Sequence, residues 1–486
     1  MKAKITLLPN EPIGTASPLL HGHFAEHLGR CCYDGLWTRD GAARPKLIKE
    51  LKRIGVPLLR WPGGCFADLY HWRDGIGPLE ARTRRYAESC GERVLDTNRI
   101  GTHEFIALCA EIGAEPYLAG NVGSGSPEEL CDWVDYCNGA LDTALVRQRA
   151  ANGHAAPMNV KYWGIGNESW GCGGNYDPIE YAHAYRRYAT MVQRTDPSAQ
   201  LVAVGDNRNR RDWNVRVLET LRDHLGLIQH LSIHHYWSAG ASGDPGDDAF
   251  YRLQYGAQQV EADIREARRV IDFFTGAARG KHRIGIAFDE WGVWHADAVI
   301  GNRYEAPSTM RDALAAAAAL DVFHAHCDAV SMANMAQIVN VLQPLVQTDG
   351  DTVRVTPTGE LFALYAAHRG ATALRVAIED SPARAMAAAQ GEPAWSTTYP
   401  AGSLAYLGDS ASRSGQGTTL MRTNRHRSEV LDVSIAGLPA GANAAVRTLS
   451  ASSTEALDAA VTDSTAQDAT RLLLPAASVT RMKVMT

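Results

Sequence analysis

Two glutamates in matching contexts carry the chemistry that this chain offers. Glu168 closes the run Val160-Lys-Tyr-Trp-Gly-Ile-Gly-Asn-Glu168, and Glu290 closes Ile284-Gly-Ile-Ala-Phe-Asp-Glu290. Each ends an apolar segment that reads as a buried strand, and a Trp-Gly pair follows each within three residues. Parallel α/β folds place catalytic groups at such strand exits. Glycosidic-bond hydrolysis needs one protonated and one ionised carboxyl group on opposite sides of the bond, ~5–5.5 Å apart in retaining enzymes and ~6.5–9.5 Å apart in inverting ones. A single strand-end glutamate is as readily an ordinary loop carboxylate; two in matched contexts point to an acid and a nucleophile.

The neighbours extend the reading. Asn167, beside Glu168, suits a hydrogen bond to a sugar hydroxyl next to the reacting carbon. Arg60 ends a strand in Arg60-Trp-Pro-Gly-Gly64, where a fixed guanidinium positions a carboxylate and depresses its pKa. Tyr236, at another strand exit, is placed to donate to a carboxylate. Trp72, Trp170, Trp237, Trp291 and Trp294 fall near strand exits; their faces suit sugar rings, although core packing accounts for any one of them equally well.

Other signals are weaker. His21 and His23 alternate onto one strand face, and His234 and His235 could join them as metal ligands in a barrel hydrolase. Such a set also calls for a histidine on the fifth strand and an aspartate on the eighth. Here those segments read Leu201-Val-Ala-Val-Gly205 and end in Asn334, so no metal is expected. Gly120–Gly125 lacks the Gly-Lys-Ser/Thr ending of a phosphate loop, and Gly171-Cys-Gly-Gly174 reads as loop geometry.

The elements that must position these residues follow from the hydrophobic pattern. Short apolar runs predict strands at Leu19–Phe24, Pro57–Trp61, Glu115–Asn121, Val160–Gly166, Leu201–Gly205, His230–Tyr236, Ile284–Asp289 and Ala329–Asn334. Helical patterns alternate with them: Leu47, Ile48, Leu51 and Ile54 share one face, and Asp177-Pro-Ile-Glu180 has the form of a capping box. Eight strand–helix units imply a (β/α)8 barrel. Glu168 and Glu290 are 122 residues apart, or three repeats of roughly forty, which puts them on the fourth and seventh strands, facing across the barrel mouth. Beyond residue 372 short β-like runs separated by Gly, Pro and Ser predict an antiparallel, jelly-roll-like β-sandwich. The expected division is a barrel over 16–372 and a sandwich over 373–486, with residues 1–15 contributing a strand to the latter.

Composition bounds the partners. A net charge of −6 without a long basic run argues against nucleic acid. No segment approaches the apolar length of a membrane span, and the first residues lack a signal-peptide pattern; the expectation is a cytoplasmic protein. Nine scattered cysteines with no Cys-x-x-Cys pair predict reduced thiols and no structural zinc.

Together these residues resemble glycoside hydrolase family 51, the intracellular α-L-arabinofuranosidases of clan A. The likeness rests on His23-Phe-Ala-Glu-His-Leu-Gly-Arg30, Arg60-Trp-Pro-Gly-Gly64, Tyr70-His-Trp72, Gly75-Ile-Gly-Pro78, Gly166-Asn-Glu168, His234-His-Tyr236, Asp289-Glu-Trp291 and Ala336-Gln-Ile-Val-Asn-Val341. The resemblance implies Glu168 as acid/base and Glu290 as nucleophile of a retaining double displacement on arabinose-containing oligosaccharides. It places Glu26, Arg60, Asn167, Tyr236 and Gln337 around the sugar, to which the reading of the strand-exit aromatics adds Trp291, and it implies a homo-oligomer, often a hexamer, that needs no cofactor. One departure stands out: many members carry Asn after Trp-Pro-Gly-Gly, whereas this chain has Cys65, whose thiol is a poor hydrogen-bond partner. Endo-glucanase or β-xylosidase activity, a metal-dependent hydrolase and a non-catalytic carbohydrate-binding protein are the alternatives.

Overall fold

Eight short parallel strands close into a barrel in chain order: Gly22–Phe24, Leu58–Trp61, Glu115–Gly120, Tyr162–Ile165, Gln200–Ala203, His230–Trp237, Gly285–Val293 and Val330–Ala336, the last pairing with the first. This computed structural model describes residues 1–206, 212–243, 246–276, 283–389, 399–439 and 441–484. Tyr162–Ile165 and Gly285–Val293 are the fourth and seventh strands. Leu58, Tyr117, Tyr162, Val202, Ala287 and Met332, from six of the strands, fill the barrel interior as one apolar cluster.

Local sequence explains the wrapping helices. Pro45–Ile54 buries Leu47, Ile48, Leu51 and Ile54 and stops at Gly55. Pro178–Thr195 starts where the Asp177 side chain accepts the Ile179 and Glu180 N–H groups. Met310–Ala325 is buried along nearly its whole length; its run Ala315–Ala319 has side chains small enough for it to pack against the seventh barrel strand on one side and the C-terminal sheet on the other.

The C-terminal region forms a nine-stranded sheet that includes the N-terminal strand Lys2–Thr15. It departs from a purely antiparallel arrangement at one place, where Lys2–Thr6 runs parallel to Asp432–Ala436 while pairing antiparallel with Thr372–Asp380 on its other edge. A strand arriving from the far end of the chain is free of the hairpin connection that forces antiparallel neighbours. Strand Arg471–Leu474 at one edge lies against Gly417–Asn424 and Ser478–Val484, so the sheet curls over a core that includes Ile5, Leu7, Leu420, Val433 and Met482.

Three further features depart from the sequence reading. The first strand begins at Gly22, because Ser17 caps a 3-10 turn over Pro18–His21. The seventh strand runs on through Glu290 to Val293, where it still pairs with Trp237. A hairpin, Arg85–Ser89 with Glu92–Asp96, stands where no strand was predicted. Among the described residues no helix is long and apolar enough to cross a membrane.

Candidate active site

The exits of the second, fourth, sixth and seventh strands bring Arg60, Asn167, Glu168, Tyr236 and Glu290 together. Arg60 is almost fully buried. Its Nη1 donates to Glu290 Oε1 at 2.6 Å, and its Nη2 to Asn167 Oδ1 at 2.6 Å. Tyr236 donates its hydroxyl proton to the other Glu290 oxygen at 3.0 Å. Both are bonds that a carboxylate accepts, and together they fix the Glu290 plane. Asp289, one residue earlier, faces the barrel interior and receives the Tyr117 hydroxyl at 2.7 Å. Burial alone would raise its pKa, but Arg60 and His234 outweigh that and hold it well below the usual carboxylate range.

Glu168 differs. It lies just beyond its strand in a left-handed conformation (φ 39°), its carboxylate 2.8 Å from His234 Nδ1. Burial, joined by the nearby Glu290 charge, raises its pKa, against the opposing bond from His234. His234 also faces Asp289 at 3.2 Å and Glu290 at 3.6 Å. Burial works against its charge, yet Glu290, Asp289 and Glu168 overcome this and push its pKa up to about 10. A charged imidazolium therefore stands between the two glutamates. One oxygen of Glu168 and one of Glu290 lie within 4.8 Å of each other.

A third carboxylate, Glu26, closes one side. It accepts from Ser89 Oγ at 2.7 Å, Phe66 N–H at 3.1 Å and Gln337 Nε2 at 3.2 Å. Burial and the Glu290 charge push its pKa up to about 7. Gly64 explains the Gly-Gly pair after Arg60-Trp-Pro: a Cβ there would sit 2.9 Å from Glu290 Oε1 and 3.4 Å from Glu26 Oε1.

Two sequence-predicted site residues lie elsewhere or have another form. Trp291 is fully buried, stacked on Trp237 and packed against Phe323 and Phe362. A register shift between Ala287 and Glu290 breaks the strand's alternation and leaves both Asp289 and Glu290 facing inward, and the next side chain, Trp291, turns to the outer core. Trp294 is the tryptophan beside the site, its ring 5.2 Å from that of Tyr236. Cys65 is not a thiol: it is disulfide-bonded to Cys172, contrary to the expectation that all nine cysteines are reduced. The pairing joins loops that are remote in sequence and lie adjacent only once the second and fourth strands are set in the barrel.

The histidines do not gather as a metal set. His21 pairs with His324, His23 is buried beside Phe362, and His235 pairs with Asp263. Among the described residues, the groups close enough to share an ion are Glu168 with His234 and Glu290, and Glu168 with Cys65 and Cys172. The first set is already bound into the network above, and the sulfurs of the second are bonded to each other. Sequence reasoning missed His234 as a partner of both glutamates, the Ser89 contact, and Asp68, whose carboxylate accepts the N–H groups of Val122, Gly123 and Asn167. The spacing of His234 two residues before Tyr236, on the same face of one strand, was the available signal for the first.

Comparison with known proteins gives a consistent picture. Residues 50–241 match the alpha-L-arabinofuranosidase 1 domain, and residues 289–470 match the alpha-L-arabinofuranosidase C-terminal domain. An intracellular exo-alpha-L-arabinofuranosidase of Bacteroides ovatus is 39% identical over 74% of this chain and 71% of its own. Alpha-L-arabinofuranosidase C of Emericella nidulans is 34% identical over 76% and 75%. The crystal structure of a GH51 arabinofuranosidase from Xanthomonas axonopodis pv. citri superposes with a TM-score of 0.87 at 31% identity, over the full length of both chains. A bifunctional glucanase-xylanase, at 14% identity and a TM-score of 0.64, shares the fold.

Proposed function

The chain belongs to glycoside hydrolase family 51, the α-L-arabinofuranosidases, and on that premise we propose the course of its reaction. It is a glycosidase of terminal arabinofuranosides. Glu168 begins protonated and gives its proton to the departing oxygen. Glu290 attacks the anomeric carbon and forms a covalent arabinosyl-enzyme. Glu168, now ionised and facing the charged His234, takes a proton from water, which releases L-arabinose with its configuration retained.

The observation that carries this reading is the approach of the two glutamates, with one oxygen of each within 4.8 Å of the other, which favours the shorter carboxyl separation of retaining enzymes over the ~6.5–9.5 Å of inverting ones. The unlike surroundings support the assignment of roles: burial keeps Glu168 protonated to higher pH, whereas Glu290 accepts bonds from Arg60 and Tyr236. The proposed substrates are short arabino-oligosaccharides met in the cytoplasm, in keeping with the Bacteroides ovatus relative described as intracellular and exo-acting. A homo-oligomer, as a hexamer, is proposed from the family likeness, and light scattering would measure it. Proton NMR of the sugar first released from an aryl α-L-arabinofuranoside tests the mechanism. The α-anomer should appear first; initial β-anomer would overturn the double displacement.

A further inference from the structure

Cys65 and Cys172, 107 residues apart in sequence, lie with Cα atoms 5.4 Å apart at the pocket rim. Cys65 is on the turn after the second strand, and Cys172 is on the loop that leads away from Glu168. That loop curls back on the glutamate: Gly171 and Gly173 both donate their N–H groups to the Glu168 carbonyl, at 2.7 and 3.2 Å. The turn at 60–68 therefore holds the 167–172 segment in three ways: through Arg60 on Asn167, through Asp68 on the Asn167 N–H, and through the disulfide. The first two hold Asn167. The disulfide holds the segment beyond Glu168, so the acid is fixed from both sides.

The Cys172 sulfur is also a direct neighbour, 3.8 Å from Glu168 Oε2 and 3.9 Å from Asn167 Nδ2. A disulfide has no proton to donate. A thiol at the same place does, and a donor facing a carboxylate favours its ionised form. Cys172 is exposed, Cys65 is half-buried, and seven other cysteines are unpaired. An isolated, accessible disulfide among free thiols fits a reversible bond better than a structural staple.

We propose that the Cys65–Cys172 disulfide is a redox-labile clamp that positions Glu168, and that its reduction weakens proton donation to the leaving group. This rests on Glu168 being the acid/base. The reductant is a dithiol: one of its thiolates attacks a sulfur of the pair, a mixed disulfide forms, and its second thiol closes the reductant's own disulfide. Two electrons and two protons pass to the enzyme, leaving Cys65 and Cys172 as thiols.

The experiment compares air-oxidised and dithiothreitol-treated enzyme, with accessible and denatured thiols counted in each. Denatured thiols should rise from seven to nine. Reduction should lower kcat/KM roughly tenfold for phenyl α-L-arabinofuranoside and less than about twofold for the 2,4-dinitrophenyl analogue, because acid help matters most for poor leaving groups. The alkaline limb of the profile should move to lower pH. A Cys65→Ser/Cys172→Ser variant should behave as the reduced form and ignore dithiothreitol. Nine thiols in the oxidised enzyme, identical profiles in the two states, or a variant that still responds to reductant would each overturn the clamp. Glu168→Ala, assayed on the same two substrates, separates the premises: equal losses on both would refute the acid role itself, whereas a leaving-group-dependent loss alongside a redox-insensitive wild type would refute the clamp alone.

Discussion

Glu26 is the pocket carboxylate whose charge changes near neutrality. Burial and Glu290 push it up to about 7, while Ser89 and the Phe66 N–H pull it back. An acid whose folded pKa is raised stabilises the fold most fully below its unfolded value of about 4.3, and that contribution is lost as pH rises through the folded value. Between about pH 4.5 and 7, Glu26 therefore makes the native state progressively less stable. Glu26→Gln, neutral at every pH and close in shape, should give a melting temperature that falls less steeply across that window, and should lower kcat/KM on the order of tenfold through loss of a charged partner for the sugar. Calorimetry from pH 4.5 to 8 measures the first effect, and an unchanged slope would mean that Glu26 ionises with an ordinary pKa. At this scale the sequence spoke through residues carried in short strand-exit segments: Asn167, Glu168, Arg60, Tyr236 and Glu290. It was silent on Ser89, Asp68 and Cys172, whose contacts to Glu26, Asn167 and Cys65 span 63, 99 and 107 residues. Such pairs become neighbours only after the barrel has set the register of its loops.

Among the elements, the barrel strands were legible because each is a short apolar run between helices that show a clear 3.6-residue period. The hairpin Arg85–Ser89 with Glu92–Asp96 was not, because it projects from the barrel and has little apolar surface to bury: Tyr86, Val94 and Leu95 are all exposed. Its turn did leave a trace in Cys90-Gly91, two residues at positive φ (49° and 85°) that match a tight two-residue connection. The hairpin matters because Ser89 reaches Glu26 from it, and because Glu92 accepts the Gly29 N–H. Gly91→Val places a β-branched side chain at φ 85°, a cost of about 1–2 kcal/mol confined to the hairpin. Melting of the whole protein should change little, since the barrel core does not depend on this turn. KM for arabinosides should rise several-fold, with kcat within about twofold, as the wall beside Glu26 loosens. Limited proteolysis should find new cleavage between residues 85 and 96. A drop in kcat at unchanged KM would place the hairpin's influence on the reacting bond rather than on sugar binding.

The whole molecule is joined by a buried polar seam between the helix Met310–Ala325 and the C-terminal sheet. Asp321 accepts the Tyr365 hydroxyl at 2.8 Å and the Ser410 hydroxyl at 2.7 Å, with Arg425 at 3.9 Å. Burial pushes its pKa up to about 7; Arg425 and Ser410 oppose this, and the Asp409 charge adds to it. Arg422 and Arg425 are buried in the same seam, and burial lowers the pKa of each. The N-terminal strand adds a second link, since Lys2–Thr15 pairs within the sheet and the chain then enters the barrel. Two links of this kind predict that barrel and sheet unfold together. The sign for Asp321 is that of a raised acid: its contribution is full below about pH 4 and is lost as pH rises through about 7. The seam should therefore loosen on the alkaline side. Asp321→Asn keeps an oxygen for both hydroxyls and removes the titration, so its melting temperature should depend less on pH between 5 and 8 than that of the wild type. At pH 8 the wild type should lose part of its advantage over the variant, because there it has to carry an ionised, poorly solvated carboxylate in the seam. Differential scanning calorimetry of both proteins reads this directly: one transition for each, with a steeper pH slope for the wild type. Parallel slopes would show that Asp321 does not titrate in this range, and two resolved transitions would show that the seam does not couple the barrel to the sheet.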